Sequence, residues 1–207
     1  MLKNKKIMWI GIIIILIIII ITLIFFTKFN NNTSKNFKIG NNTTSQEIVD
    51  NILNMSSYKA TIAVDVKSNK NESKYVLKQS YSGEEDNWQE VIEPSNIAGV
   101  KVTKSGKSLK IENANLNLSS IFENYEFISD NCLDLNSFIE SYKNDAKSEW
   151  KEKDNQIIMK TSSSKKSKSQ RILYISKETG NPVKMEIEDT NKNMAVYILY
   201  TEVSVNS

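Results

Sequence analysis

The twenty residues from Ile7 to Phe26 are apolar except for Gly11 and Thr22, and no other stretch constrains the chain as tightly. In a bilayer every backbone N–H and C=O must be satisfied within the segment, so an isolated spanning stretch has to be helical. That requirement overrides the modest helix propensity of its twelve β-branched isoleucines. At about 1.5 Å of rise per residue such a helix reaches roughly 30 Å, the thickness of a hydrocarbon core. Its Ile, Leu and Phe residues together contribute roughly −5 to −10 kcal/mol towards insertion. Lys3, Lys5 and Lys6 precede the run and only Lys28 follows closely. This asymmetry predicts a cytoplasmic N-terminus and an extracytoplasmic remainder. The competing reading is a cleaved signal peptide, whose apolar region is shorter and ends in small residues. Phe25-Phe26-Thr27-Lys28-Phe29-Asn30 has no such site, which favours an uncleaved anchor in the cell membrane.

The net charge of +3 includes the four lysines and no acids of residues 1–28, so the remainder carries 3 − 4 = −1. The basic balance therefore belongs to the anchor and does not indicate nucleic acid. Histidine is absent, which removes the commonest general base and metal ligand. The single cysteine, Cys132, allows no intramolecular disulfide, and it lies too far downstream to carry a lipid anchor. The predicted organisation is a cytoplasmic tail over 1–6, a transmembrane helix over 7–26, a polar linker over 27–43 and one extracytoplasmic domain over 44–207.

Within that domain Thr44-Ser45-Gln46-Glu47 has the spacing of a capping box, followed by Ile48, Ile52 and Met55 on one face. The pattern predicts a short amphipathic helix over 45–56. From Tyr58 to Lys67 apolar and polar residues alternate with a period of two, the mark of a strand with one buried face. Further strands are predicted over 74–82, 88–92, 98–103, 108–112 and 116–118. Asp134 is placed to cap a second helix, with Leu135, Phe138, Ile139 and Tyr142 at helical spacing. Strands are predicted again over 149–152, 156–161, 171–176, 183–189 and 194–203. Connections this short require antiparallel pairing. The expected domain is α+β: ten or eleven antiparallel strands with two helices packed on the sheet.

Helix, strand run with Glu93-Pro94 and Ala98-Gly99, second helix, then paired strands around Thr179-Gly180-Asn181-Pro182 and Met185: this order resembles the LolA-like superfamily of bacterial envelope proteins. Within it the chain is similar to the GerS-type spore-germination lipoproteins, chiefly through 173–187. The resemblance covers about residues 45–203. It implies a curved half-barrel sheet with helices on its concave side, no catalysis and no cofactor. It further implies a role as partner of an envelope enzyme such as a cortex amidase in spore germination. The alternative it offers is a carrier or sensor of lipid or lipoprotein acyl chains. The GerS-type proteins are lipid-anchored through a cysteine, where this chain is expected to use a transmembrane helix.

No constellation of catalytic residues stands out. Ser/His/Asp and Cys/His sites need a histidine. The carboxylates Glu186 and Glu188 share a strand face with Lys184, the pattern of a solvated surface. No D-x-D-x-D-G calcium loop is present. Two weaker groupings are candidates for contact. Tyr75, Tyr81 and Trp88 could line a pocket or partner surface, although large aromatics more often fill cores. Lys165, Lys166, Lys168 and Arg171, spaced by serines, could meet anionic lipid or wall polymers, although such clusters are usually solvated loops. Because open sheets expose edge backbone, the expected mode of action is recognition of a protein partner, or of a second copy as a homodimer, through a sheet edge.

Overall fold

The computed structural model describes residues 39–40, 43–69, 71–83, 87–123, 133–162, 169–189 and 194–207. The expected transmembrane helix over 7–26, most of the 27–43 linker, Cys132 and the loop carrying Lys165, Lys166 and Lys168 lie outside these residues. Among the described residues no helix is long and apolar enough to cross a membrane.

Helix α1 runs Ser45–Leu53 and starts as its sequence requires. The Thr44 side chain accepts from the Glu47 N–H, while the Glu47 carboxylate accepts from the Thr44 N–H at 2.7 Å. These reciprocal bonds satisfy amide donors that a helix start otherwise leaves unmatched. Helix α2 runs Leu135–Asn144, capped by Asp134. Among the described residues there are eleven strands: β1 Ser57–Ser68, β2 Glu72–Tyr81, β3 Asn87–Glu93, β4 Val100–Ser105, β5 Ser108–Asn113, β6 Leu118–Phe122, β7 Glu149–Lys153, β8 Gln156–Ser162, β9 Ser169–Ser176, β10 Pro182–Asp189 and β11 Met194–Asn206.

They form one open antiparallel sheet in the order β6-β5-β4-β3-β2-β1-β11-β10-β9-β8-β7. Each half is a meander built from short connections, and the halves join where β1 pairs with β11. The predicted strand over 116–118 is displaced. Asn113 instead accepts from the N–H groups of Asn115 and Leu116, holding Ala114–Leu116 in a 3-10 turn. Asn117, in the left-handed region at φ 51°, then leads into β6. Asparagine tolerates that conformation better than most residues, which the alternation of apolar residues does not reveal.

Both helices pack on one face of the sheet. Ile48, Val49 and Ile52 of α1 and Leu135, Phe138, Ile139 and Tyr142 of α2 form one buried cluster with residues of β1, β2 and β8 to β11. The alternation in β1 decides which residues join it: Tyr58, Ala60, Ile62 and Val64 are buried, while Lys59, Thr61 and Ala63 point to the other face. Strands β3 to β6 make up a wing that contributes only partly buried Val91 to this cluster among the described residues.

Candidate functional site

The two edges of the sheet differ in chemistry. Edge strand β7 reads Glu-Trp-Lys-Glu-Lys, so four of its five residues are charged. Glu152 of β7 is held by Lys177 at 2.7 Å and by the Ser45 hydroxyl at 2.6 Å, which keep its carboxyl below the usual range. Charges of this kind discourage another strand from pairing. Edge strand β6 reads Leu-Ser-Ser-Ile-Phe and has none. Leu118 is 61% exposed, Ile121 63% and Phe122 40%. Leu116, in the turn before β6, and Ile97, in the loop before β4, are also exposed. The loop bearing Ile97 sits tightly on the turn before β6, where a Cβ on Gly99 would come within 2.7 Å of the Asn115 amide nitrogen. Gly99 also has φ 82°, a backbone conformation that favours glycine, and any Cβ there would have to push the Asn115 amide aside. Among the described residues no strand lies beyond β6.

The aromatic residues expected to line one pocket fall on opposite faces. Tyr75 and Tyr81 lie on the helix side and pack partly buried against the core. Trp88 pairs with Ser80 of β2 and Thr103 of β4. Its register therefore places it on the outer face, with the Lys101 ammonium 4.5 Å from the ring centre. A hollow of about 420 Å3 opens beside Trp88, lined by Lys59, Thr61, Lys78, Ser80 and Glu202 among others. The grouping with Tyr75 and Tyr81 fails because Tyr81 pairs with Asn87, one position away from Trp88.

Arg171 is likewise corrected. It is 0% exposed, on the helix-facing side of β9, and donates from Nη1 to the Ser137 hydroxyl at 3.0 Å. It cannot join a surface cluster with Lys165, Lys166 and Lys168, which are outside the described residues. The serine-rich spacing conceals this because Arg171 continues the inward row of Leu173 and Ile175.

Helix α2 is tied down along its length, and Arg171 supplies the middle tie. At the start, the Asp134 carboxylate accepts from the Tyr58 hydroxyl, from the Asn136 N–H at 3.2 Å and from the Asn87 amide at 3.4 Å. Burial raises the Asp134 pKa, and the three hydrogen bonds only partly offset it. Burial, together with the neighbouring carboxylate, pushes the Tyr58 and Tyr200 hydroxyls well up. At the far end Asp145 accepts from the Ser162 N–H at 2.8 Å and from Thr161, and its pKa is lowered by hydrogen bonds, that from Ser162 foremost. A buried carboxylate beside two phenols keeps a helix in place.

Among the described residues no group of three or more His, Cys, Asp or Glu is placed to hold a metal ion. Sequence pattern does not single out the edge residues Leu118 and Ile121. The contrast in charge between the two edge strands is the signal that marks them.

No protein-family model matches the chain, and no curated protein does. Solved structures do. An uncharacterised conserved protein of Thermus thermophilus superposes with a TM-score of 0.50 at 11% identity, covering 80% of this chain and 89% of that one. This chain shares the fold of that protein. The LolA superfamily protein NE2245 of Nitrosomonas europaea matches at 12% identity and a TM-score of 0.44, over 80% of this chain and 94% of that one. A chain from the complex of the CwlD amidase with the GerS lipoprotein of Clostridioides difficile matches at 21% identity and a TM-score of 0.43. It covers 80% of this chain and 95% of that one. These likenesses are of fold.

Proposed function

We propose that this chain is a membrane-tethered, extracytoplasmic, non-catalytic binding protein that acts as partner or regulator of an envelope enzyme. The observation that carries the reading is the uncharged edge strand β6, whose Leu118, Ile121 and Phe122 stand exposed at the rim of an eleven-stranded sheet. Exposed, uncharged edges are a hazard that folded proteins ordinarily suppress, as β7 does here, so one with no strand beyond it among the described residues has a use. The apolar run over 7–26 supplies the tether. A cortex amidase is the first partner to test, because the sequence resembles GerS-type proteins.

The alternative, a carrier of acyl chains, needs an empty apolar cavity beneath the sheet. Between the helices and β8 to β11, Ile48, Ile52, Leu135 and Phe138 are completely buried against Met159, Leu173, Ile175 and Met185. Among the described residues these side chains fill the space between the helices and β8 to β11.

The test is sedimentation of the full-length protein in detergent with a purified cortex amidase at tens of micromolar. A faster-sedimenting complex is expected, together with no hydrolysis of peptidoglycan by the chain alone. Unchanged sedimentation with this enzyme and with other envelope hydrolases would count against the reading.

A further inference from the structure

We infer that the occupant of the β6 edge is an extended, uncharged segment of another protein, five or six residues long, which adds to the sheet as a twelfth strand. This deepens the reading above and rests on it.

The register of β6 on β5 defines what an added strand would meet. Leu118 pairs with Asn113 and Phe122 with Leu109, so Leu118, Ser120 and Phe122 belong to the helix-side face of the sheet. On that face the wing behind them is mostly apolar: Leu109 is buried and Val100, Val102 and Ile111 are half-buried, with Asn113 and Lys104 as the polar members of β5 and β4. Ser119 and Ile121 belong to the outer face, where Ile121 adjoins Lys110, itself paired with Glu112. The incoming strand therefore meets apolar side chains at both ends of one face and on the other face between them. β6 itself has no charged side chain to pair with an incoming charge, so an uncharged strand that is apolar on at least one side suits it.

Length and charge favour a peptide segment over a second copy of this chain. Five residues offer only about 17 Å of edge. Stable complexes between folded surfaces bury roughly 1,200–2,000 Å2, more than two such short strands placed edge to edge supply. A single added strand has no such requirement, because main-chain hydrogen bonds and two or three side-chain contacts carry it. The opposite edge cannot substitute: Glu149, Lys151, Glu152 and Lys153 repel an uncharged strand by the desolvation it would impose.

The experiment uses the full-length chain in detergent and two benzophenone-bearing probes, Thr-Val-Thr-Val-Thr-Val and its charged counterpart Lys-Val-Glu-Val-Lys-Val. Photo-cross-links are mapped by mass spectrometry. The uncharged probe is expected to label residues 118–122, and Ile121→Lys to reduce that labelling at least fivefold. Leu118→Lys should do the same, while circular dichroism and thermal unfolding stay as in the parent because both side chains are exposed. Equal labelling by the two probes, labelling centred on β7, or labelling indifferent to both substitutions would overturn the inference. So would cross-links joining β6 of two copies in place of probe adducts. An amidase complex that survives Ile121→Lys and Leu118→Lys overturns the inference alone; absence of any complex with the parent chain overturns the function from which it starts.

Discussion

A single carboxylate illustrates how this domain depends on pH. Asp134 is buried and its pKa is raised in the folded state. A group of that kind costs stability when ionised, so the cost is fully present above the folded pKa. It is relieved as pH falls through the folded pKa towards the unfolded value of about 3.9. Asp134→Asn keeps an oxygen for Tyr58 and for the Asn136 N–H, so it should unfold in urea no earlier than the parent at pH 7. Any advantage should shrink towards pH 4. Asp134→Ala loses the cap and strands the Tyr58 hydroxyl, and should cost roughly 2–3 kcal/mol. Glu47, Asp145 and Glu152 work in the opposite sense, because their pKa values are lowered by hydrogen bonds in the folded state. Their contribution is present above the unfolded values of about 4 and is lost as pH falls through their folded pKa values. Urea midpoints measured from pH 7 to pH 3 separate the two trends. Arg171 belongs at this scale too: its removal by Arg171→Ala should lower stability by about 2–4 kcal/mol through the space it vacates. Loss of an exposed lysine would be nearly neutral.

At the level of helices and strands, most of the architecture is legible in the sequence because its signals are local. The Thr44–Glu47 box and the i, i+3, i+4 spacing from Leu135 to Tyr142 specify α1 and α2 without reference to anything distant. Thr44→Ala should therefore cost about 1 kcal/mol, and Thr44→Ser much less, by urea denaturation. Phe138→Ala, which empties the centre of the helix–sheet contact, should cost about 3–5 kcal/mol. Alternation likewise assigns β1 its buried face. What the sequence does not reveal depends on pairing across strands. Tyr81 and Trp88 both look like aromatic strand residues, yet a register of one position sends them to opposite faces. The start of β6 escapes the pattern because it follows from an asparagine side chain binding nearby backbone, a bond that hydrophobic spacing does not record. Gly99→Ala tests that corner: φ is positive and the added methyl would displace the Asn115 amide, so a loss of thermal stability is expected.

For the molecule as a whole, the proposed reading joins the apolar run and the sheet edge into a binding surface held beside a membrane. The full-length protein should stay with membranes after an alkaline wash and retain residues 1–26 by intact mass; a water-soluble species trimmed near Thr27 would refute the tether. The arrangement of the sheet also bears on how it is made. Each wing can zip from neighbouring hairpins, but the seam between β1 and β11 unites residues 150 positions apart, as where Asn206 receives the Ser56 hydroxyl. Contacts so remote in sequence form slowly. During synthesis, β1 must wait with one flank bare until β11 has emerged. That interval, rather than the finished protein, is when a chaperone or a stray strand has its opportunity.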